Sequence, residues 1–340
     1  SCDGAPLTAL LRLAAGALPV LLFLLALLFL DSYKLTTRRS VLRSIGWGIV
    51  AAGIAYAVNA ALLRAGVDAV VLRRYVAPVI EESLKAALLV WLIRTGRVGF
   101  LVDAAIHGFA AGAGFAVIEN LYYAGMGASG AGVWVVRGLG TAVMHGSATA
   151  IGAILTKGLT ERRGMTVRWF LPGLAAAAVL HSLWNHFALS PLLSAALLIV
   201  TMPLVVVLVF ERSERATESW LGEGLDGEVE VLELIATGEF RRTHAGEYLD
   251  SLRQRFPGPV VADMLCWLQL HLELGLRAKG LLLARAAGID LPVDPALRES
   301  FAEMKFLERS IGPTGKLAML PLRRGSGRDL WQLRMLAERS

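Results

Sequence analysis

The apolar residues of this chain are gathered into blocks, and that blocking limits what it can fold into more than any other feature. A hydrocarbon core about 30 Å thick is crossed by about 20 helical residues. Seven segments reach roughly that length: 8–30, 44–63, 74–93, 101–124, 132–156, 169–189 and 192–210. Within the first, Leu13–Leu30 carries no charge and no small-x-small site follows it at once, so it reads as a retained span and not a cleaved signal. A segment in lipid must satisfy its backbone groups internally. The expected fold class is therefore all-α, a polytopic membrane helix bundle of about seven transmembrane helices.

The blocks stop at Phe210. Residues 1–210 hold 16 Lys/Arg and 8 Asp/Glu, whereas 211–340 hold 18 and 20 in a shorter stretch. Two domains follow: a transmembrane core, 1–210, and a soluble helical C-terminal tail, 211–340. Helices are expected in the tail at 228–236, 243–255, 259–287, 295–310 and 329–338, punctuated by Pro and Gly. The net charge of +6 does not point to nucleic acid, because the excess lies wholly in the apolar part and clusters between spans. Ten cations fall on one side: Lys34, Arg38, Arg39, Arg43, Arg94, Arg97, Lys157, Arg162, Arg163 and Arg168. Only Arg64, Arg73 and Arg74 fall on the other. The positive-inside rule then sets the N-terminus outside the cell membrane and the tail in the cytoplasm, free to meet a cytoplasmic partner. Cys2 and Cys266 would lie on opposite faces, so no disulfide framework is expected.

Ionisable groups inside spans cost about 3 kcal/mol each on insertion scales, so each requires a reason. The third span carries Glu81, Glu82 and Lys85, the fourth Asp103, His107 and Glu119, the fifth Arg137 and His145, and the sixth His181 and His186 beside Asn185. With the derived orientation and a rise of 1.5 Å per residue, Glu81, Glu82, Glu119, His145 and His181 share a layer about 10 Å thick in the outer half to middle of the bilayer. Glu81 and Lys85, Phe115 and Glu119, and His181 and Asn185 are spaced i, i+4, so each pair shares a helix face. Carboxylates and imidazoles gathered in one pocket suit two routes to hydrolysis, a bound divalent metal or a carboxylate base acting on water.

Four segments in order carry a resemblance: Glu81-Glu82-Ser83-Leu84-Lys85; Gly114 to Asn120 with its Phe115 and Glu119; Arg137 with His145; and His181-Ser182-Leu183-Trp184-Asn185. Together they resemble the motifs of the PrsW family of intramembrane proteases, which is related to the CAAX prenyl endopeptidases. The resemblance covers 81–185 and leaves the first span and the tail outside it. It implies cleavage of membrane-anchored protein substrates, such as bacterial anti-sigma factors in stress signalling, on the outer side of the bilayer. It implies Glu81 or Glu82 as the base and Asn185 at the oxyanion, with Lys85, Arg137 and Asn120 in support. Glu119, His145 and His181 form a ligand set for one divalent metal, zinc first, with metal-free chemistry the other route.

Other readings of the same residues stand beside this one. A cation- or proton-coupled transporter uses intramembrane Glu and His as well, although no internal repeat of the kind such proteins carry is visible. A silent scaffold acting through its tail is a third. Asp103 and His107, near the inner end of the fourth span, read as a gate or a packing network. His244 and His271 in the tail read as ordinary solvated or packed residues.

Overall fold

The computed structural model describes residues 4–126, 130–289, 291, 292, 294–322 and 327–337, and every regular element among them is helical. The chain divides into two compact units, Ser1–Ser213 and Glu214–Ser340. The first unit holds α1 (Gly4–Leu30), α2 (Arg38–Arg64), α3 (69–94), α4 (Leu101–Gly125), α5 (131–163), α6 (Leu171–Asn185) and the start of α7 (Pro191–Thr237).

Among the described residues five helices are long and apolar enough to cross a membrane: α1, α2, α4, α5 and α7. This is a multi-pass membrane protein. The two expected spans outside that set are α3 and α6, which carry Glu81, Glu82 and His181. In α3, Glu81, Glu82, Lys85 and Arg94 dilute the apolar run. In α6 the helix is only 15 residues, about 22 Å, against the longer 169–189 expected, because the chain turns after Asn185 and Phe187 takes a left-handed φ of 48°. Of the helices that carry the candidate residues, α4 and α5 are thus in that set, while α3 falls outside it by its charges and α6 by its length.

The organising element is α4. Nearly every residue from Val102 to Ala116 is buried, as expected of a helix that is apolar all round and therefore surrounded. Helices α1, α2 and α5 pack along it. The approach to α2 is backbone to backbone: a Cβ at Gly114 would run into the Ile45 carbonyl, and one at Gly48 into that of Ala111. At the foot of α4, Asp103 Oδ2 accepts the amides of Gly99 (2.8 Å) and Phe100 (3.4 Å), and Ser44 Oγ meets His107 Nδ1 at 2.8 Å across to α2. These two residues serve helix capping and packing.

The single helix α7 replaces the separate helices expected at 192–210 and 228–236, since the sequence between them has no proline to stop it. It is followed by α8 (His244–Ser251), α9 (Gly258–Ala286), α10 (Ala296–Ala318) and α11 (Gly327–Ala337). Lys279 of α9 is buried in an ion pair with Glu228 and lies 5.1 Å from the Trp220 ring. The last turns of α10 are set off by a kink at Gly312 (φ 70°) before Pro313, which extends that element beyond the expected 310. His244 is exposed and His271 stacks on Trp267 at 4.9 Å.

Candidate functional site

Helix α3 begins at Asp68, whose carboxylate accepts the amides of Val70 and Val71 at 2.9 Å. It ends at Gly96 in a left-handed conformation, φ 63°, with the Arg97 amide on the Leu92 carbonyl at 2.8 Å. Between the ends, Leu72–Val76 is wound as a π-helix and Pro78 follows, so the ordinary i to i+4 donors are missing there. Two α6 side chains fill the gap. Ser182 Oγ donates to the Arg74 carbonyl at 2.6 Å, and Asn185 Nδ2 to the Arg73 carbonyl at 2.9 Å. These bonds seat α6 on α3 and bring His181 to Glu82.

Helix α5 likewise carries a π-helical segment, Val136–Ala142, just before the residue that matters, His145. Its backbone lies against α4: a Cβ on Gly112 would meet the His145 carbonyl. Glu119 stands two turns on from Gly112, on the same helix face. The close approach at Gly112 therefore delivers Glu119 to His145, with Oε2 2.9 Å from Nε2.

Around these contacts the four helices build one cluster. Glu82 is buried with both oxygens engaged: Oε1 accepts from Lys85 Nζ at 2.7 Å and His181 Nδ1 at 3.0 Å, and Oε2 from Thr149 Oγ1 at 2.8 Å. Lys85 is wholly buried, with Nζ 2.9 Å from His145 Nδ1 and 4.1 Å from the centre of the Phe115 ring. An ammonium donates only, so it fixes Nδ1 as acceptor and the Nε2 proton of His145 points to Glu119. The two imidazoles meet edge to face with centroids 4.6 Å apart. Glu81 is the open member of the pair: Asn59 Nδ2 donates to Oε1 at 3.3 Å, and Oε2 stands 3.8 Å from His181 Nε2. At the rim, Arg137 donates through Nε to Asn120 Oδ1 (2.8 Å), places Nη2 3.5 Å from Glu119 Oε2, and lies over the Tyr123 ring. Asn120 in turn donates to the Gly16 carbonyl of α1 at 2.8 Å.

Of the residues singled out from the sequence, Glu81, Glu82, Lys85, Glu119, His145 and His181 meet in this cluster, and Arg137 and Asn120 frame it. Asn185 is held apart from them, with its amide nitrogen donating to the Arg73 carbonyl. Thr149 and Asn59 were missed. Each is a polar side chain in an apolar helix, and Thr149 sits four residues after His145, a spacing that marks it as a neighbour.

A metal fits the donor set on one condition: His145, whose Nδ1 accepts from Lys85 and whose Nε2 faces Glu119, must exchange one of these partners for the ion. One atom each from Glu81, His145 and His181 lie within 4.8 Å of one another, while the donors around a tetrahedral ion sit about 3.4 Å apart, a short closure away. His181 is prepared for it: its Nδ1 faces a carboxylate, the arrangement that orients a ligating imidazole and leaves Nε2 free. The charges agree as well. With neutral imidazoles, Glu81, Glu82 and Glu119 outnumber Lys85 and Arg137, and an added cation offsets the difference.

Comparison with known proteins gives one family match, the PrsW family intramembrane metalloproteases, over residues 36–210. No curated protein and no solved structure gave a match. The matched region contains every helix that contributes to the cluster, extends the likeness well beyond the motifs, and takes in just over half of the chain. The chain belongs to the PrsW family of intramembrane metalloproteases, membrane-embedded hydrolases of protein substrates.

Proposed function

We propose that this protease cuts membrane-anchored, anti-sigma-factor-like substrates near the outer face of a bacterial membrane, at a single zinc ion held by Glu81, His145 and His181. The observation that carries the reading is the convergence of those three donor groups, from three helices, within 4.8 Å. When bound, the ion supplies Lewis-acid polarisation of the scissile carbonyl.

The protein's own groups divide the rest of the work. Glu82 is buried with both oxygens already engaged, so it serves as the acceptor that fixes the His181 ring. Glu119, whose side chain is the most exposed of the three carboxylates at 28%, takes the proton of the attacking water and returns it to the leaving amine as the C–O bond forms and the C–N bond breaks. Arg137 and Asn120 hold it in place. This exchanges the roles read from the sequence for Glu119 and Glu81, because Glu81 is the carboxylate grouped with both imidazoles. Outer-face chemistry rests on the ten-against-three distribution of loop cations, which also leaves residues 211–340 in the cytoplasm for a partner there.

The test is purification in detergent, zinc loading and elemental analysis, with cleavage of reporters in which an apolar single span joins two soluble domains. About one zinc per chain is expected in the wild type, with much less in His145→Ala and His181→Ala. Chelation should abolish cleavage and zinc should restore it. A wild-type protein that cleaves without bound metal, or full activity in Glu81→Ala and His181→Ala, would sink the assignment.

A further inference from the structure

Beneath the cluster lies a cavity of about 300 Å³ between α3, α5 and α6. Its upper end is Glu82 and Thr149, the residues that set His181, and it continues along α3 past Ala87 to Val90. From Glu82 to Val90 the helix rises about 12 Å, the reach of about four residues of extended chain. Its lining mixes glycine and alanine positions, such as Ala87, Gly152 and Gly173, with larger apolar side chains, such as Leu89, Phe170 and Leu174. Its mouth is at the surface of the bundle, where Ala87 and Leu171 are exposed, and at this depth that surface faces hydrocarbon.

We propose that this groove receives the substrate itself, namely the apolar, locally extended stretch that continues inward from the scissile bond. The inference rests on the protease reading above and adds where its substrate lies. Three observations select this occupant. The groove reaches the cluster at Glu82 and Thr149, so a chain lying in it ends beside the carboxylate that sets His181. It runs in the direction a spanning substrate must take after being cut in the outer half of the membrane. It is also too small for a helix, yet the glycine and alanine positions in its lining let a backbone come close. An extended strand in lipid needs partners for its amides and carbonyls, and hydroxyls of Ser83, Thr149 and Thr156 stand in the lining. The one ionisable group there, Glu82, is already satisfied by Lys85, Thr149 and His181. The groove therefore selects uncharged residues of modest size on the inward side of the cut.

The experiment uses the full chain with Cys2 and Cys266 replaced by Ser, made cleavage-dead by Glu81→Gln, and carrying a new cysteine at Ala87, Leu174 or Leu208. The probe is the single-span reporter with one cysteine stepped along its apolar segment. Disulfides from Ala87→Cys and Leu174→Cys are expected to reporter positions within about four residues inward of the cut, and none from Leu208→Cys, which is exposed on α7 outside the groove. In the active enzyme, Ala87→Trp should raise KM at least tenfold, while Leu208→Trp should leave kinetics unchanged. Disulfides that ignore the groove, or an unchanged KM in Ala87→Trp, would overturn the inference. So would labelling of Ala87 by a phospholipid with a photoreactive acyl chain that excess reporter fails to displace. Cleavage by the wild type reads the function and the disulfide pattern reads the groove, so the two can fail separately.

Discussion

Lys85→Met asks whether the buried ammonium balances charge or merely donates hydrogen bonds. Lys85 is wholly buried, with Nζ 2.7 Å from Glu82 Oε1 and 2.9 Å from His145 Nδ1. If it were one polar contact among many in a membrane bundle, its loss would cost about 0.6 kcal/mol, the average for such bonds. If it is the counter-charge of Glu82, its removal strands a carboxylate that is 1% exposed, and breaking a buried pair from one side costs about 3–5 kcal/mol. The structure favours the larger figure, because the remaining donors to Glu82, Thr149 Oγ1 and His181 Nδ1, are neutral groups when the imidazole is neutral. The companion variant is Glu82→Gln/Lys85→Met, which removes both charges and keeps most of the volume, and it should recover more than half of the loss. Both are measured by titrating the detergent-solubilised protein with SDS and following unfolding, in a double-mutant cycle with Glu82→Gln alone. A Lys85→Met protein within about 1 kcal/mol of wild type, or a double variant no more stable than the single, would refute the charge-balance argument.

Two further outcomes are expected. Thr149→Val removes the hydroxyl on Glu82 Oε2 without changing shape, so zinc affinity by chelator competition should fall about 10–100-fold, as for other groups that orient a ligand's partner, and Thr149→Ser should restore most of it. Equal affinities in wild type and Thr149→Val would show that Glu82 holds His181 without help. Gly112→Val forces a side chain into the His145 carbonyl, so it should cost at least the ~1–3 kcal/mol of overpacking and part Glu119 from His145, removing cleavage; Gly53→Ala, with open space at its Cβ, should do neither. Retained cleavage in Gly112→Val would mean that the close approach of α4 to α5 is not what places Glu119.

Hydropathy made the bundle legible because a bilayer imposes one length on every span, and ionisable residues within those spans are rare enough to be counted individually. That reasoning located Glu81, Glu82, Glu119, His145 and His181 by depth alone. It could not see the π-helical segments Leu72–Val76 and Val136–Ala142, since a single extra residue in a turn leaves no mark in composition. Those segments change which carbonyls are free, and hence what Ser182 and Asn185 do. The spacing His181 to Asn185 correctly placed both on one face of α6, but a shared face does not mean a shared partner. His181 reaches Glu82 while Asn185, one turn on, reaches the backbone of α3.

The paired glutamates show the same limit and also how the structure passes it. Neighbouring residues on a helix point about 100° apart, so Glu81 and Glu82 have different surroundings apart from the His181 ring that both approach, and sequence alone could not say which was the working group. Glu82 turns toward α5 and α6, where Lys85, Thr149 and His181 occupy its oxygens. Glu81 turns toward Asn59 of α2 and keeps an oxygen facing His181 Nε2. A carboxylate that must bind or react needs an unfilled lone pair, whereas one that must orient a neighbour needs its lone pairs filled. In the proposed ligand sphere the adjacent glutamates would divide two requirements between them, the donor and the group that aims the donor beside it, and the ammonium four residues on from Glu81 balances the second of them at a depth where a lone charge would not be tolerated.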